Sequence, residues 1–198
     1  MRHLAEINHL DEKNIQAALH PSCIEDQSPV PEGFRRAAVL MPLLRMDHSW
    51  HLLLTHRSHM VGEHKGQVAF PGGGADPEDR DSICTALREA NEEIGLLPED
   101  VNILGCMSPL KTITNYFVTP VVGVIPWPYE LDLSPFEVAR AFTIPLSWLV
   151  DPQNWTEKPF IAKGKTDEHV IYYDLFEGEL LWGISARITL NFLAALGF

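Results

Sequence analysis

The chain alternates short apolar runs with polar breaks rich in glycine and proline, and the spacing of those runs predicts its elements. Arg36 to Leu44 (RAAVLMPLL) is an apolar run of strand length, expected at the centre of a sheet. Asp47-His48-Ser49 is a turn, and Trp50 to Arg57 reads as the returning strand of a hairpin. Ser58 to Gly66 is a polar loop, and Gln67 to Phe70 is a short strand running into Pro71-Gly72-Gly73. From Ser82 to Ile94 the period becomes helical, with Ile83, Ala86, Leu87, Ala90 and Ile94 on one arc. Further strands are expected over Val101–Ser108, Thr112–Ile125 and Val138–Phe142. Pro145 to Leu149 is a short helix started by proline. Phe160–Ala162 and His169–Leu175 pair as a late hairpin around Lys163-Gly164-Lys165. Ser185 to Leu196 closes the chain as an amphipathic helix, with Ile184, Ile188, Phe192 and Leu196 inward.

Ahead of these elements, Asp11 caps a short helix to Leu19 that Pro21 ends. Ser28 to Gly33 is a linker. Residues 1–30 are therefore read as a loosely attached N-terminal extension, and 31–198 as the main domain. Strands cluster before and after one central helix, which predicts an α/β fold with a mixed β-sheet and helices on two sides.

The chemistry concentrates on that central helix. Glu89, Glu92 and Glu93 fall within an arc of about 100° beside the apolar one. Glu89 and Glu93 are i,i+4 neighbours, and two carboxylates that close repel unless a cation lies between them. Carboxylate oxygens suit Mg²⁺ or Mn²⁺. Arg88 stands four residues before Glu92, where a guanidinium can fix a carboxylate rotamer. Gly95 fits a left-handed helix cap, and Gly72, Gly73 and Gly74 let the backbone approach a ligand. Three glutamates on a helix alone also suit a solvated acidic face; the glycine turn in front weighs against that.

Composition narrows the field. With 198 residues, 45% hydrophobic and 21% charged, the chain supports one domain with a real core. The longest apolar candidate for a membrane span, Phe117 to Trp127, is short and broken by Pro120 and Pro126. The N-terminus lacks an apolar leader, so a cytoplasmic protein with no membrane association is expected. Cys23, Cys84 and Cys106 form no Cys-x-x-Cys pair and read as three thiols in a reducing compartment. A net charge of −12 argues against nucleic acid as a partner. The charge is uneven, however. Arg35, Arg36, Arg45, Arg57 and Lys65 fall within 35–66 against only Asp47 and Glu63, whereas 76–100 is acidic. A basic wall beside an acidic helix suits a small polyanion; scattered surface charge is the plainer alternative. His56, His59 and His64 lack the regular spacing of a zinc site. The tryptophans at 127, 148 and 155 suit either a homodimer face or the core.

Gly73, Arg88-Glu89 and Glu92-Glu93-x-Gly95 together resemble the Nudix box, G-x5-E-x7-R-E-U-x-E-E-x-G-U with U aliphatic. Asp79 replaces the first glutamate, the spacing from it to Arg88 is one residue longer, and Ala90 is small for the aliphatic slot. Leu53 to Ser58 and His64 to Gly73 resemble the signature of the coenzyme A pyrophosphatase branch. Tyr116 to Gly123, Glu137 to Ala139, Phe142 to Leu149 and Trp182 to Arg187 are also similar to that branch. The resemblance spans about Arg35 to Arg187. It implies a Nudix-type α/β/α sandwich and metal-dependent hydrolysis of the pyrophosphate bond of coenzyme A, with thioesters as further substrates. The products would be 3′,5′-ADP and 4′-phosphopantetheine. It further implies Glu89, Glu92 and Glu93 as Mg²⁺ or Mn²⁺ ligands, and a general base among them or at Glu137. Arg57 and Lys65, with Arg35 behind them, are candidates for phosphate contact, and Gly72 and Gly73 for backbone contact. Two rivals stay open: a Nudix pyrophosphatase for ADP-ribose, dinucleotides or nucleoside triphosphates, and a binding module that no longer cleaves.

Overall fold

The computed structural model describes residues 4–20, 30–58, 66–160 and 168–198. Lys65, His59, His64, Cys23, the start of the 28–33 linker and the 163–165 turn lie outside them.

Strand β1 (Arg35–Met46) is the spine of an eight-stranded sheet. Its side chains alternate between two cores: Ala37, Met41 and Leu43 face one, Ala38, Leu40 and Leu44 the other. That two-sided burial is what a continuous apolar run predicts for a central strand. β2 (Ser49–Arg57) returns antiparallel, but the two strands pair only from Leu43–Met46 to Ser49–Leu52. Beyond that they separate. β3 (Val68–Ala69) follows β2 at Thr55 and His56, while β4 (Gly72–Gly74) follows β1 at Ala37–Val39. The resulting opening in the sheet is where the site forms.

On the other edge of β1 lies β7 (Tyr116–Val124), parallel to it and in unbroken register from Arg35↔Tyr116 to Leu43↔Val124. β5 (Asn102–Cys106) and β6 (Leu110–Lys111) pair antiparallel with β7, and β8 (Val138–Pro145) with β2. The single strand expected over Thr112–Ile125 is thus two strands, β6 and β7, joined by a turn. Asn115 takes φ 61 there, and Tyr116 N donates to Thr112 Oγ1 at 2.9 Å. A local side-chain bond of this kind competes with the sheet ladder, which apolar periodicity does not register. β9 (Trp155–Phe160) and β10 (Glu168–Tyr173) form a late hairpin as a separate two-stranded sheet; its first strand runs from Trp155, ahead of the expected Phe160–Ala162, whose last residues lie outside the described ones.

Helix α2 (Ser82–Ile94) covers one face, burying Ala86, Ala90 and Ile94 against Leu40, Leu44 and Val121. Its bounds are those of the sequence reading. Asp81 caps its first turn by accepting from Cys84 N at 2.8 Å, and Gly95 ends it at φ 66. The opposite face carries the short α3 (Leu146–Leu149) and α4 (Gly183–Ala195), whose Ile188 and Phe192 belong to the same core as Met41 and Leu52. This is the mixed α/β sheet with helices on two sides that was expected.

Two expectations are corrected. The N-terminal piece is not loosely attached over residues 4–20, which include α1 (Glu12–Ala17): Ile7, Leu10, Ile15 and Leu19 are buried in the α4-side core. Arg45 Nη2 and Trp50 Nε1 both donate to the Leu10 carbonyl, at 2.7 and 2.8 Å, and His20 bridges to Cys106. Its anchors are too few and irregularly spaced to form a periodic signal. The cysteines are not three thiols, because Cys106 is disulfide-bonded while Cys84 is free. Trp127, Trp148 and Trp155 all pack against the two cores. Among the described residues no helix is long and apolar enough to cross a membrane.

Candidate active site

The glycine turn and the first glutamate of α2 fit one another tightly. A Cβ on Gly73 would lie 2.5 Å from the Glu89 carboxylate, so only glycine lets that side chain rest against β4. Gly72, at φ 155, likewise has no room for a Cβ, which would run into the Ala38 carbonyl and Val39. Its N–H donates to Glu93 Oε2 at 3.3 Å. The turn therefore touches two of the three helix glutamates.

Arg88 organises the outer side of the helix. Its Nε and Nη2 donate to the two oxygens of Asp79, at 3.2 and 3.0 Å, and Nη2 also reaches the Gly74 carbonyl. Nη1 donates to Glu89 Oε1 at 3.0 Å and more weakly to Glu92. Asp79 in turn accepts from Thr85 Oγ1 and Asp76 N, and the Arg88 hydrogen bond holds its carboxyl below the usual range. Asp79 is thus a clamp on the arginine that positions Glu89, and the shorter side chain with one extra residue still closes the contact.

Glu93 is the most buried of the three, at 1% exposure. Arg57, at the end of β2, donates from Nη1 to Glu93 Oε1 at 3.0 Å. The ladder between β2 and β8 slips between His56 and Arg57, and Ser58 N donates to the Glu137 carbonyl at 2.7 Å. The irregularity places Glu137 beside Arg57, in the same cavity as Glu89 and Glu93. Burial pushes Glu93 up to about 7; the Arg57 charge and the Gly72 N–H oppose that rise, and Glu89 and Glu137 add to it. Glu89 also moves upward, through burial first and the charges of Glu92 and Glu137 later, against the pull of Arg88.

The segment that holds Glu137 is strapped to the end of α2. Asp132 N and Ser134 N donate to the carbonyls of Ile94 and Glu93, at 3.1 and 2.9 Å, which satisfies the last orphan acceptors of the helix. Glu92 lies differently: its side chain is 56% exposed, pairs with Arg88 and does not line the cavity. Arg35 does not line it either, and instead lays its guanidinium over the Tyr116 ring at 4.4 Å. The structure therefore brings together Glu89, Glu93, Glu137, Arg57, Gly72 and Gly73, and leaves Glu92 and Arg35 at the margin.

A helix glutamate pair behind a glycine turn, with a guanidinium from the neighbouring strand, is a framework that can be compared with known proteins. Residues 34–164 match the family model described as the NUDIX domain. The chain belongs to the Nudix family. This Nudix domain is 41% identical over 154 residues to the "Uncharacterized Nudix hydrolase NudL" of Photorhabdus laumondii subsp. laumondii, covering 78% of this chain and 81% of that relative. It is 37% identical over 163 residues to the protein of the same description from Escherichia coli (strain K12 / DH10B), covering 82% and 83%. The crystal structure of a MutT/nudix family protein from Enterococcus faecalis superposes with a TM-score of 0.55 at 15% identity, covering 87% of this chain and 66% of that one. That likeness concerns the fold alone.

Nudix hydrolases generally need a divalent metal, and the donor set of this Nudix domain fits one. Glu89 and Glu93 are hard carboxylates, the first half-buried and the second buried, mutually repelling and next to Glu137. Mg²⁺ is commonly held by one or two carboxylates together with water and substrate phosphate, and needs no closed protein cage. Among the described residues no three His, Cys, Asp or Glu side chains are grouped to hold an ion by themselves. Arg57 meanwhile supplies the positive charge beside Glu93. The sequence did not single out Lys111, His169 or Glu179. Lys111 and His169 line the cavity, while Glu179 bridges His56 and Arg140 at 2.7 and 3.2 Å. These come from elements far apart in sequence, with no local signature to mark them.

Proposed function

We propose that this Nudix hydrolase cleaves the pyrophosphate bond of coenzyme A, and of its thioesters, in a metal-dependent reaction yielding 3′,5′-ADP and 4′-phosphopantetheine. One observation carries the reading. The stretch resembling the coenzyme A branch is built into the site: Arg57 pairs with Glu93, and Gln67, Phe70, Gly72 and Gly73 line the same cavity as the helix carboxylates. A segment that specifies substrate belongs where the substrate lies.

In this reading Glu89 and Glu93 hold Mg²⁺ or Mn²⁺, with Glu92 joining from the rim. A cation held there would supply charge neutralisation at the diphosphate oxygens and lower the pKa of a bound water. Glu137, across the cavity from the helix pair, accepts the proton of the attacking water. Arg57 changes partner from Glu93 to a phosphate oxygen, a geometry that a guanidinium serves well. Lys65, which lies outside the described residues, is a second candidate for phosphate contact on the sequence resemblance alone. Gly72 and Gly73 let the diphosphate approach the backbone.

The test is product analysis after incubating the protein with coenzyme A and Mg²⁺ or Mn²⁺, alongside ADP-ribose, a dinucleoside polyphosphate and a nucleoside triphosphate. Appearance of 3′,5′-ADP and phosphopantetheine at the highest kcat/KM of the panel is expected. Preference for ADP-ribose would replace coenzyme A by the nearer rival.

A further inference from the structure

The cavity does not stop at the carboxylates. It has a volume of about 750 Å³ and continues to a wall made by β10 and the first half of α4, including His169, Trp182, Ile184 and Arg187. Nothing in the hydrolytic step uses that wall. Trp182 is held there rigidly. Its ring lies parallel to that of Tyr172, at 5.5 Å between centroids and 8° between planes, and the two residues also form a backbone bridge. Lys158 Nζ stands 5.7 Å from the centroid of the Tyr172 ring, extending the stack. Unlike Trp50, which is 1% exposed within the core, Trp182 is half-buried and meets the cavity.

Arg187 follows one turn further along α4. Its Nη2 is tied to the His169 carbonyl at 2.9 Å and to Glu157 at 2.7 Å, which aligns the guanidinium with β10. The pair with Glu157 is 40% exposed on both sides, and such ion pairs exchange readily for a better anion. A fixed aromatic plane beside a guanidinium suits a flat heterocycle carrying a phosphate. A flexible amide chain gains little from either.

We infer that this wall is the nucleotide subsite: the base stacks against Trp182 and the 3′-phosphate of the ribose contacts Arg187. The inference rests on the reading that the substrate is an adenine-nucleotide diphosphate, and assigns the pantetheine arm elsewhere. Binding of adenosine 3′,5′-bisphosphate, adenosine 5′-monophosphate and 4′-phosphopantetheine to the full chain, by calorimetry in EDTA, tests it. Trp182→Leu should weaken both nucleotides by about tenfold or more, the usual scale of base stacking, and Trp182→Phe should restore most of that. Arg187→Gln should weaken the bisphosphate and spare the monophosphate. None of the three should change phosphopantetheine binding. Unchanged nucleotide affinity in Trp182→Leu, or a loss confined to phosphopantetheine, overturns the assignment. Coenzyme A left uncut by the wild type while Trp182→Leu still loses nucleotide defeats the proposed reaction and leaves the subsite standing. Coenzyme A cut normally with nucleotide affinity unmoved does the reverse.

Discussion

Glu93 keeps a carboxylate beneath the surface with one guanidinium and one backbone N–H as partners. Its pKa rises from an ordinary 4.5 to about 7, so folding of the metal-free protein favours the protonated form. A carboxyl raised in this sense contributes stability that is full below about pH 4.5 and is lost as pH climbs through 7. In EDTA, the difference in Tm between wild type and Glu93→Gln should therefore shift against the wild type from pH 5 to pH 8, as followed by circular dichroism. The same variant should lose about a hundredfold or more in kcat with Mg²⁺ while keeping its fold. A flat Tm difference would show that Glu93 ionises without cost. The sequence showed the three glutamates on one arc and paired Glu89 with Glu93, but did not show how deeply each is buried. Burial separates them: Glu93 lies under the turn and Glu92 is in solvent, a distinction set by β4 and β2 rather than by helical phase.

Helix α2 was legible almost in full, because capping, periodicity and glycine all act within thirteen residues. β4 was not legible as a strand, since Gly72–Gly74 has no side chain to declare a preference, and its pairing with β1 is a tertiary contact. Glu137 was a candidate from the sequence, but the attachment of its loop was not legible, because what fixes it are carbonyls at the end of α2. That attachment makes Gly95 a coupling point. A Cβ there would sit 2.7 Å from the Asp132 Cβ, on a residue already at φ 66. Gly95→Ala should cost roughly 1–2 kcal/mol from backbone conformation, and should also lower kcat by moving Glu137. Asp81→Ala, at the far end of the same helix, should cost about 1 kcal/mol and leave kcat near wild type. Urea titration and steady-state kinetics on the two variants separate stability from positioning.

Across the whole molecule, the two cores are divided by the sheet, and the N-terminal segment closes one of them. The strands of the central sheet were readable from apolar runs; the anchoring of residues 4–20 was not, because it depends on Trp50 and Arg45 some forty residues on. Removing residues 1–20 takes away four buried side chains, each worth about 1.5–3 kcal/mol, against a domain stability of roughly 5–15 kcal/mol. The truncated chain should fail to give a dispersed amide NMR spectrum, and Trp50→Phe should fold with a loss of about 1 kcal/mol.

β1 and β7 run side by side although about eighty residues separate them, and β2 and β4, which carry Arg57 and the glycine turn into the cavity, pair with β1. Closing so long a loop delays the search for the native state, whereas the contacts within α2 are local and form fast, though so short a helix is marginal until it packs. A chain leaving the ribosome therefore carries its acidic segment for some time before it owns a cleft, and ion affinity should be acquired only at the end of folding.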